Sequence, residues 1–392
     1  MTNDMSEMAK QEMRKSARED IKTLNTLWIT EMVEAPSGLN EKMAFFWHDH
    51  FACKSPNPIF MQDYLDVIRT NALGNFGDLL KAVSKTPAML QYLNNQQNKK
   101  QAPNENFARE VMELFTLGRD NEYTERDISE AARAFTGWGF NKEGEFVFRQ
   151  KWHDAGTKTV LNNTGNLTGD DVLEILLNEK QTARYISQKW VRFFANEQGN
   201  PQLEDLVANT LYSTGYNIKK ALNILFTSEL FYQESNIGCR IKSPIELVVG
   251  IQRQLHVQIT DEKSLIYLQR MMGQMLFDPP NVAGWPDGKD WVDSAALMFR
   301  MNLPELIFRA AAIQHHLEDS FDDNDMFKLK GPLKQLETTI DHDQLLQELG
   351  QLDPIEIENY LLQQRSASDP NPSDNFMDLI VFYTSKPEYQ LC

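Results

Sequence analysis

Residues 104–118 read Asn-Glu-Asn-Phe-Ala-Arg-Glu-Val-Met-Glu-Leu-Phe-Thr-Leu-Gly. Asn104 is suited to cap a helix over 105–117, because its side-chain oxygen can accept from the orphan N–H groups of a first turn. Gly118 suits the left-handed position that closes such a helix. At about 100° per residue, Glu105, Thr116, Arg109, Glu113, Asn106 and Glu110 fall on one arc of about 140°. Phe107, Ala108, Val111, Met112, Leu114 and Phe115 cover most of the remainder. So narrow a polar stripe reads in two ways. One is a solvent-facing ladder of Glu105–Arg109–Glu113 pairs, worth about 0.2–0.5 kcal/mol each. The other is the lining of a cleft, where Glu110 and Glu113 serve as an acid/base pair or as metal ligands.

The same helical period recurs on both sides of this stretch. Residues 4–33 form a long polar helix, and an apolar helix covers 40–52 with the sequence EKMAFFWHDHFA at 41–52. Helices are expected near 58–72 and 77–93, then over 169–179, 181–195, 202–213, 217–228, 243–256, 262–272, 293–316, 343–350, 354–364 and 374–385. Thr124 and Asp127 stand at capping-box spacing and open a helix that closes at Gly137. The period changes after it: EFVFRQ (145–150) and KTVL (158–161), joined by KWHDAGT, read as a hairpin or a pair of short strands. The expected fold is mainly α, an irregular multi-helix array with one small β hairpin near 145–161. Its expected organisation is an N-terminal helix over 1–39, the remnant of a longer N-terminal segment, then a helical core over 40–316 and an acidic helical subdomain over 317–392. The polar stretches 317–326 and 366–374 read as exposed loops.

Composition narrows the function. The chain has 392 residues and a formal charge of −17, which repels nucleic acid and anionic membranes. Arg184, Lys189 and Arg192 form a local basic group that reads as a solvated helix face. No apolar run approaches the ~18 residues of a membrane span, and the first twenty residues carry no export signal. Cys53, Cys239 and Cys392 have no zinc spacing; free thiols fit a reducing compartment, so the expected location is cytoplasmic. No nucleophile elbow, Walker loop, dinucleotide fingerprint or HExxH is present.

Three further elements carry candidate chemistry. His50 lies between Phe46 and Met43 in the apolar stripe of its helix, where a histidine is either a core residue with one hydrogen bond or a buried base or ligand. His48 and Asp49 fall off that stripe. His153, Asp154 and Lys158 occupy the turn of the β segment; Asp154 and Gly156 suit turn chemistry, whereas His153 and Lys158 are not explained by it. The long loop FDPPNVAGWPDGKDW (277–291) brings Asn281, Trp285 and Trp291, which either anchor it to the core or present stacking faces.

FFWHDHFA, NALGNFGDLLKAVSKTPAMLQYLNN, PNENFAREVMELFTLG, YTERDISEAARAFTGWGF, HDAGTKT, IKSPIELVVG and MGQMLFDPPNVAGWPDG, in this order over about 40–300, resemble the bacterial domain-of-unknown-function family numbered 1800. SKPEYQLC resembles the family's ending. The resemblance implies no settled activity. It implies a frequent sulfatase-like protein partner, a polysaccharide-related setting and, for many members, export. The functional expectation is a hydrolase or lyase acting on a polar polymer such as a glycan. Glu110, Glu113, His153 and His50 are its candidate catalytic groups. Arg109, Asn106, Asp154, Lys158, Asn281, Trp285 and Trp291 are its candidate substrate contacts. A divalent metal is the one cofactor left open, and no residues are assigned to it. The alternative is a non-catalytic binding or assembly protein that uses the Trp-rich loop 278–291.

Overall fold

The computed structural model describes residues 6–315, 336–364 and 375–392. The exposed loops expected at 317–326 and at 366–374 lie outside these residues. The described residues are mainly helical. The helices are α1 (Glu7–Glu34), α2 (Gly38–His50), α3 (Pro58–Asn71), α4 (Phe76–Ser84), α5 (Pro87–Tyr92), α6 (Asn106–Glu110), α7 (Glu125–Ala134), α8 (Gly169–Asn178), α9 (Lys180–Phe194), α10 (Pro201–Ser213), α11 (Ile218–Thr227), α12 (Pro244–Gln254), α13 (Glu262–Met272), α14 (Ser294–His315), α15 (His342–Leu349), α16 (Pro354–Leu361) and α17 (Phe376–Thr384). A π-helical segment, Val111–Thr116, continues α6.

Helix starts follow the side-chain chemistry. Asn57, Asn75, Asn200 and Asn217 each accept a backbone N–H of the first turn. Thr124–Asp127, Thr168–Asp171 and Ser243–Glu246 form reciprocal capping boxes. The helix expected over 77–93 is two helices. Pro87 has no N–H to continue α4, and Thr86 caps α5 instead by accepting from Met89 N.

Among the described residues the β structure consists of three short antiparallel pairs. β1 (Trp138–Phe140) pairs with β2 (Phe146–Phe148), β3 (Lys158–Val160) with β4 (Asn163–Gly165), and β5 (Val257–Ile259) with β6 (Thr338–Ile340). The two runs expected near 145–161 are therefore both strands, but each pairs with its own sequence neighbour. Leu161 and Asn162 supply the positive φ angles (47° and 67°) that a two-residue hairpin turn needs.

The chain groups into two compact units. The first comprises Met1–Leu24, Ser37–Tyr232 and Phe277–Trp285; the second comprises Asn25–Pro36, Gln233–Leu276 and Pro286–Cys392. The core of the first is aromatic: Trp47 packs against Phe46, Phe51, Phe76 and Trp190, and its indole N–H donates to Ala72 O at 3.0 Å.

The second unit is held by buried polar pairs as well as by apolar contact. Asn25 and Gln269 exchange side-chain amide hydrogen bonds of 2.9 and 2.6 Å. Arg253 Nη1 donates to the carbonyls of Met32, Val33 and Ala35, closing the C-terminus of α1. Arg300, fully buried, donates to Gln390 Oε1 and to Lys242 O, which fastens the 385–392 segment.

Candidate functional site

Four sequence-distant stretches of the first unit meet around Glu110. They are the end of α2 with Cys53 and Lys54, the end of α5, the α6–π junction, and the Phe277–Trp285 loop. Tyr92, the last residue of α5, lies within electrostatic range of Cys53, Asp278 and Glu110. Burial first, and then these neighbours, raise its phenol above the usual range. Lys54 Nζ donates to Asp278 Oδ1 at 3.0 Å and ties the loop to the segment after α2.

The helix carrying Glu110 departs from the expected α geometry at that residue. Leu117 N donates to Met112 O at 2.9 Å, a five-residue step. Thr116 Oγ1 donates to Val111 O at 2.7 Å across another five residues. The 100° wheel therefore stops describing the helix at Val111, and the side chains beyond it are re-aimed. Such π segments are frequent at functional sites.

Glu110 is 8% exposed, and its Oε2 meets no donor among the described residues. Burial, then the charge of Glu113, raise its carboxyl above the usual range, while Arg119 and Arg109 act the other way. Glu113 is the clamped partner. Its Oε1 lies 3.4 Å from Arg109 Nη1 and its Oε2 lies 3.7 Å from Arg119 Nε. Arg109 also holds Glu105 at 3.2 Å and Glu125 at 2.7 Å. The structure thus brings Arg109 to Glu113, and sets Glu110 beside them. Asn106 braces the group from below, since its Nδ2 donates to Leu93 O at 3.2 Å.

His50 forms part of the wall. Lys189 Nζ donates to its Nδ1 at 3.1 Å, and its Nε2 stands 3.1 Å from Phe115 O in the π segment. Burial, then Lys189, hold its pKa well below the usual value. Both ring nitrogens are engaged, so this neutral imidazole positions the π segment and leaves no ring nitrogen for a substrate.

His48 and Asp49, expected off the buried face, hold the loop. His48 is 0% exposed, burial lowers its pKa to about 3, and its Nε2 accepts from Phe277 N at 3.1 Å. Asp49 Oδ1 accepts from Trp285 N at 2.9 Å. The helix wheel misses them because the loop that covers that face comes from residues more than two hundred positions away. Lys54, Tyr92 and Asp278 were not singled out either. The Asp278 signal is the carboxylate that opens the loop, directly after Phe277.

His153, Asp154 and Lys158 belong to a second cluster, centred on Arg133. Arg133 Nε donates to Asp154 Oδ2 at 2.7 Å and Nη1 to both oxygens of Glu130 at 2.9 Å. His153 Nδ1 stands 3.0 Å from Thr136 O, whose hydroxyl accepts from Asp154 N at 2.8 Å. Lys158 is buried and donates to Gly156 O at 3.1 Å; burial lowers its pKa. This motif braces β3 against α7. No described hydrogen bond or ion pair joins His153 to Glu110 or Glu113. The Arg109–Glu125 and Arg133–Asp154 pairs mark opposite ends of α7, eight residues or about 12 Å apart along its axis.

Asn281 shapes the loop, its Oδ1 accepting from Ala283 N at 2.8 Å. Trp285 is 7% exposed and packs on the His48 ring, with 5.2 Å between centroids. Trp291 lies in the second unit and is 6% exposed. Neither indole presents an open stacking face, so the tryptophans act as anchors. Among the described residues no group of three or more His, Cys, Asp or Glu stands where it could hold a metal ion.

A family model matches residues 1–391, nearly the whole chain. The chain belongs to the family described as protein of unknown function, DUF1800. No curated protein and no solved structure matches this DUF1800 chain. Among the described residues, no helix is long and apolar enough to cross a membrane.

Proposed function

We propose that the chain is a hydrolase or lyase that acts on a polar polymer such as a glycan, with Glu110 as proton donor and Glu113 as its charged partner. The observation that carries this reading is the buried Glu110 carboxyl with an oxygen that no group among the described residues engages, next to a carboxylate held by two arginines. Neighbouring carboxyls in unlike environments divide acid and base roles between them. In hydrolysis, Glu110 gives its proton to the leaving oxygen while Glu113 takes one from the attacking water. His50 keeps the π segment in place, and the Lys54–Asp278 pair holds the loop at the rim.

The test has two arms. Infrared difference spectroscopy should show a protonated carboxylic acid at pH values where an ordinary glutamate is ionised, and Glu110→Gln should remove that band. In a screen of polysaccharides read by reducing-end release, Glu110→Gln should lower turnover by about 10²–10⁴. Full turnover in Glu110→Gln, or no protonated acid assignable to this residue, overturns the reading.

A further inference from the structure

Lys189 and Arg192 of α9, read from sequence as a solvated face, stand beside Tyr185, which packs against the end of the π segment. Tyr185 packs on the turn that closes the π segment: a Cβ placed on Gly118 would lie 2.9 Å from the tyrosine ring. Lys189 Nζ stands 5.7 Å from the centroid of that ring and donates to His50. Tyr185, Lys189 and Arg192 follow the i, i+4, i+7 spacing and share one face of α9. Arg119, Asp49 and Arg192 all lie within electrostatic range of the Tyr185 hydroxyl. The Arg119 side chain is 60% exposed, and its 3.7 Å approach to Glu113 is an ion pair too long for a hydrogen bond. Arg192 is exposed and makes no hydrogen bond or ion pair among the described residues. Glu110 feels the charge of Arg119, so the buried carboxyl and the guanidinium belong to one cluster.

We propose that Arg119 and Arg192 bind carboxylate groups of an acidic polysaccharide across Tyr185, and so lay one of its sugar units against Glu110. Guanidinium pairs with carboxylate through two parallel N–H bonds, which a neutral hydroxyl cannot match. The −17 charge of the chain opposes any polyanion, nucleic acid included, so binding of an acidic polymer here has to come from the two local guanidinium contacts. The sugar identity rests on the acid/base reading of Glu110 and Glu113, whereas the anion contact rests on the arginines.

The experiment measures binding of the full chain by calorimetry at low salt. The probes are polygalacturonate, the same polymer fully methyl-esterified, and a single-stranded DNA oligonucleotide. Polygalacturonate should bind at least about tenfold tighter than its ester. The Arg119→Gln/Arg192→Gln double variant should lose about tenfold or more. Both arginines are solvent-facing, and matching melting curves check that the double variant folds. Equal binding of acid and ester, no binding of polygalacturonate, tighter binding of DNA, or undiminished binding by the double variant each overturns the proposal. The two readings fail separately. Lost turnover in Glu110→Gln with intact binding in the double variant sinks this one and keeps the acid/base reading; the reverse pattern sinks the acid/base reading alone.

Discussion

Trp285 donates its backbone N–H to Asp49 Oδ1 at 2.9 Å, so a loop near residue 280 is read out by a carboxylate on α2. Gly284 makes that approach possible. Its φ is +90°, and a Cβ there would fall 2.3 Å from Asp49 Oδ1 and 2.9 Å from Asp49 O. Gly284→Ala should therefore destabilise the chain by at least about 2 kcal/mol, combining a left-handed penalty with a clash against backbone. Urea denaturation checks this, and a loss under about half a kcal/mol would show that the loop is not seated on α2.

Glu110 should make stability fall as pH rises. Its carboxyl pKa is raised above the ordinary 4.5, so the folded state holds the proton more tightly than the unfolded chain does. That contribution is full below about pH 4.5 and is lost as pH climbs through the raised value. Glu110→Gln removes the loss, and should stabilise the protein at pH 7 by about 1 kcal/mol while leaving it unchanged at pH 4. Chemical denaturation at the two pH values decides; a variant less stable at both would mean that the carboxylate is satisfied.

His48 and His50 should act in the opposite sense. Burial depresses both pKa values, His48 to about 3, so the unfolded chain binds more protons as pH falls below 6.5. Their contribution is full above pH 6.5 and disappears on the way toward pH 3. Wild type should lose on the order of 3 kcal/mol between pH 7.5 and 4 from His48 alone, with His50 adding in the same direction. His48→Gln, though less stable overall, should show a shallower acid limb. An acid limb of equal slope in the variant would place His48 outside the folding linkage.

Arg133→Ala should loosen the β3–β4 hairpin. It removes the shared partner of Glu130 and Asp154, both largely buried, and a donor to Thr157 O. The expected cost is about 1–3 kcal/mol, with faster amide exchange in 157–165 than in 105–117. Uniform loss of protection across both stretches would make the two clusters one cooperative unit.

The legible part of this molecule was local. Thr124 with Asp127, Gly118 and Gly137 announce themselves because capping and left-handed closure depend on residues a few positions apart. The Arg109–Glu113 pair is also legible, since i, i+4 spacing brings the two together, whereas the aim of Glu113 beyond Val111 is not. His48 was misplaced because its covering partner, Phe277, is remote in sequence. His153 stands out in the sequence because turn chemistry does not explain it; in the fold its ring lies beside Thr136 and Phe148, partners that sequence spacing does not reveal. The change from α to π at Val111 has no residue signature comparable to a proline or a cap.

That change carries a consequence for the length of the chain itself. Over Val111–Thr116 each backbone N–H reaches one carbonyl further than in an α-helix, so the segment stores an extra residue without gaining a turn. Removing one residue here would let the backbone fall into ordinary register and would make the helix more regular. With Val111 or Met112 removed, Glu113 would stand two positions after Glu110, about 200° around an α-helix, away from Arg109 and Arg119. A single-codon deletion at this point is therefore the kind of lesion that a melting curve would score as harmless and that the carboxyl pair would not survive.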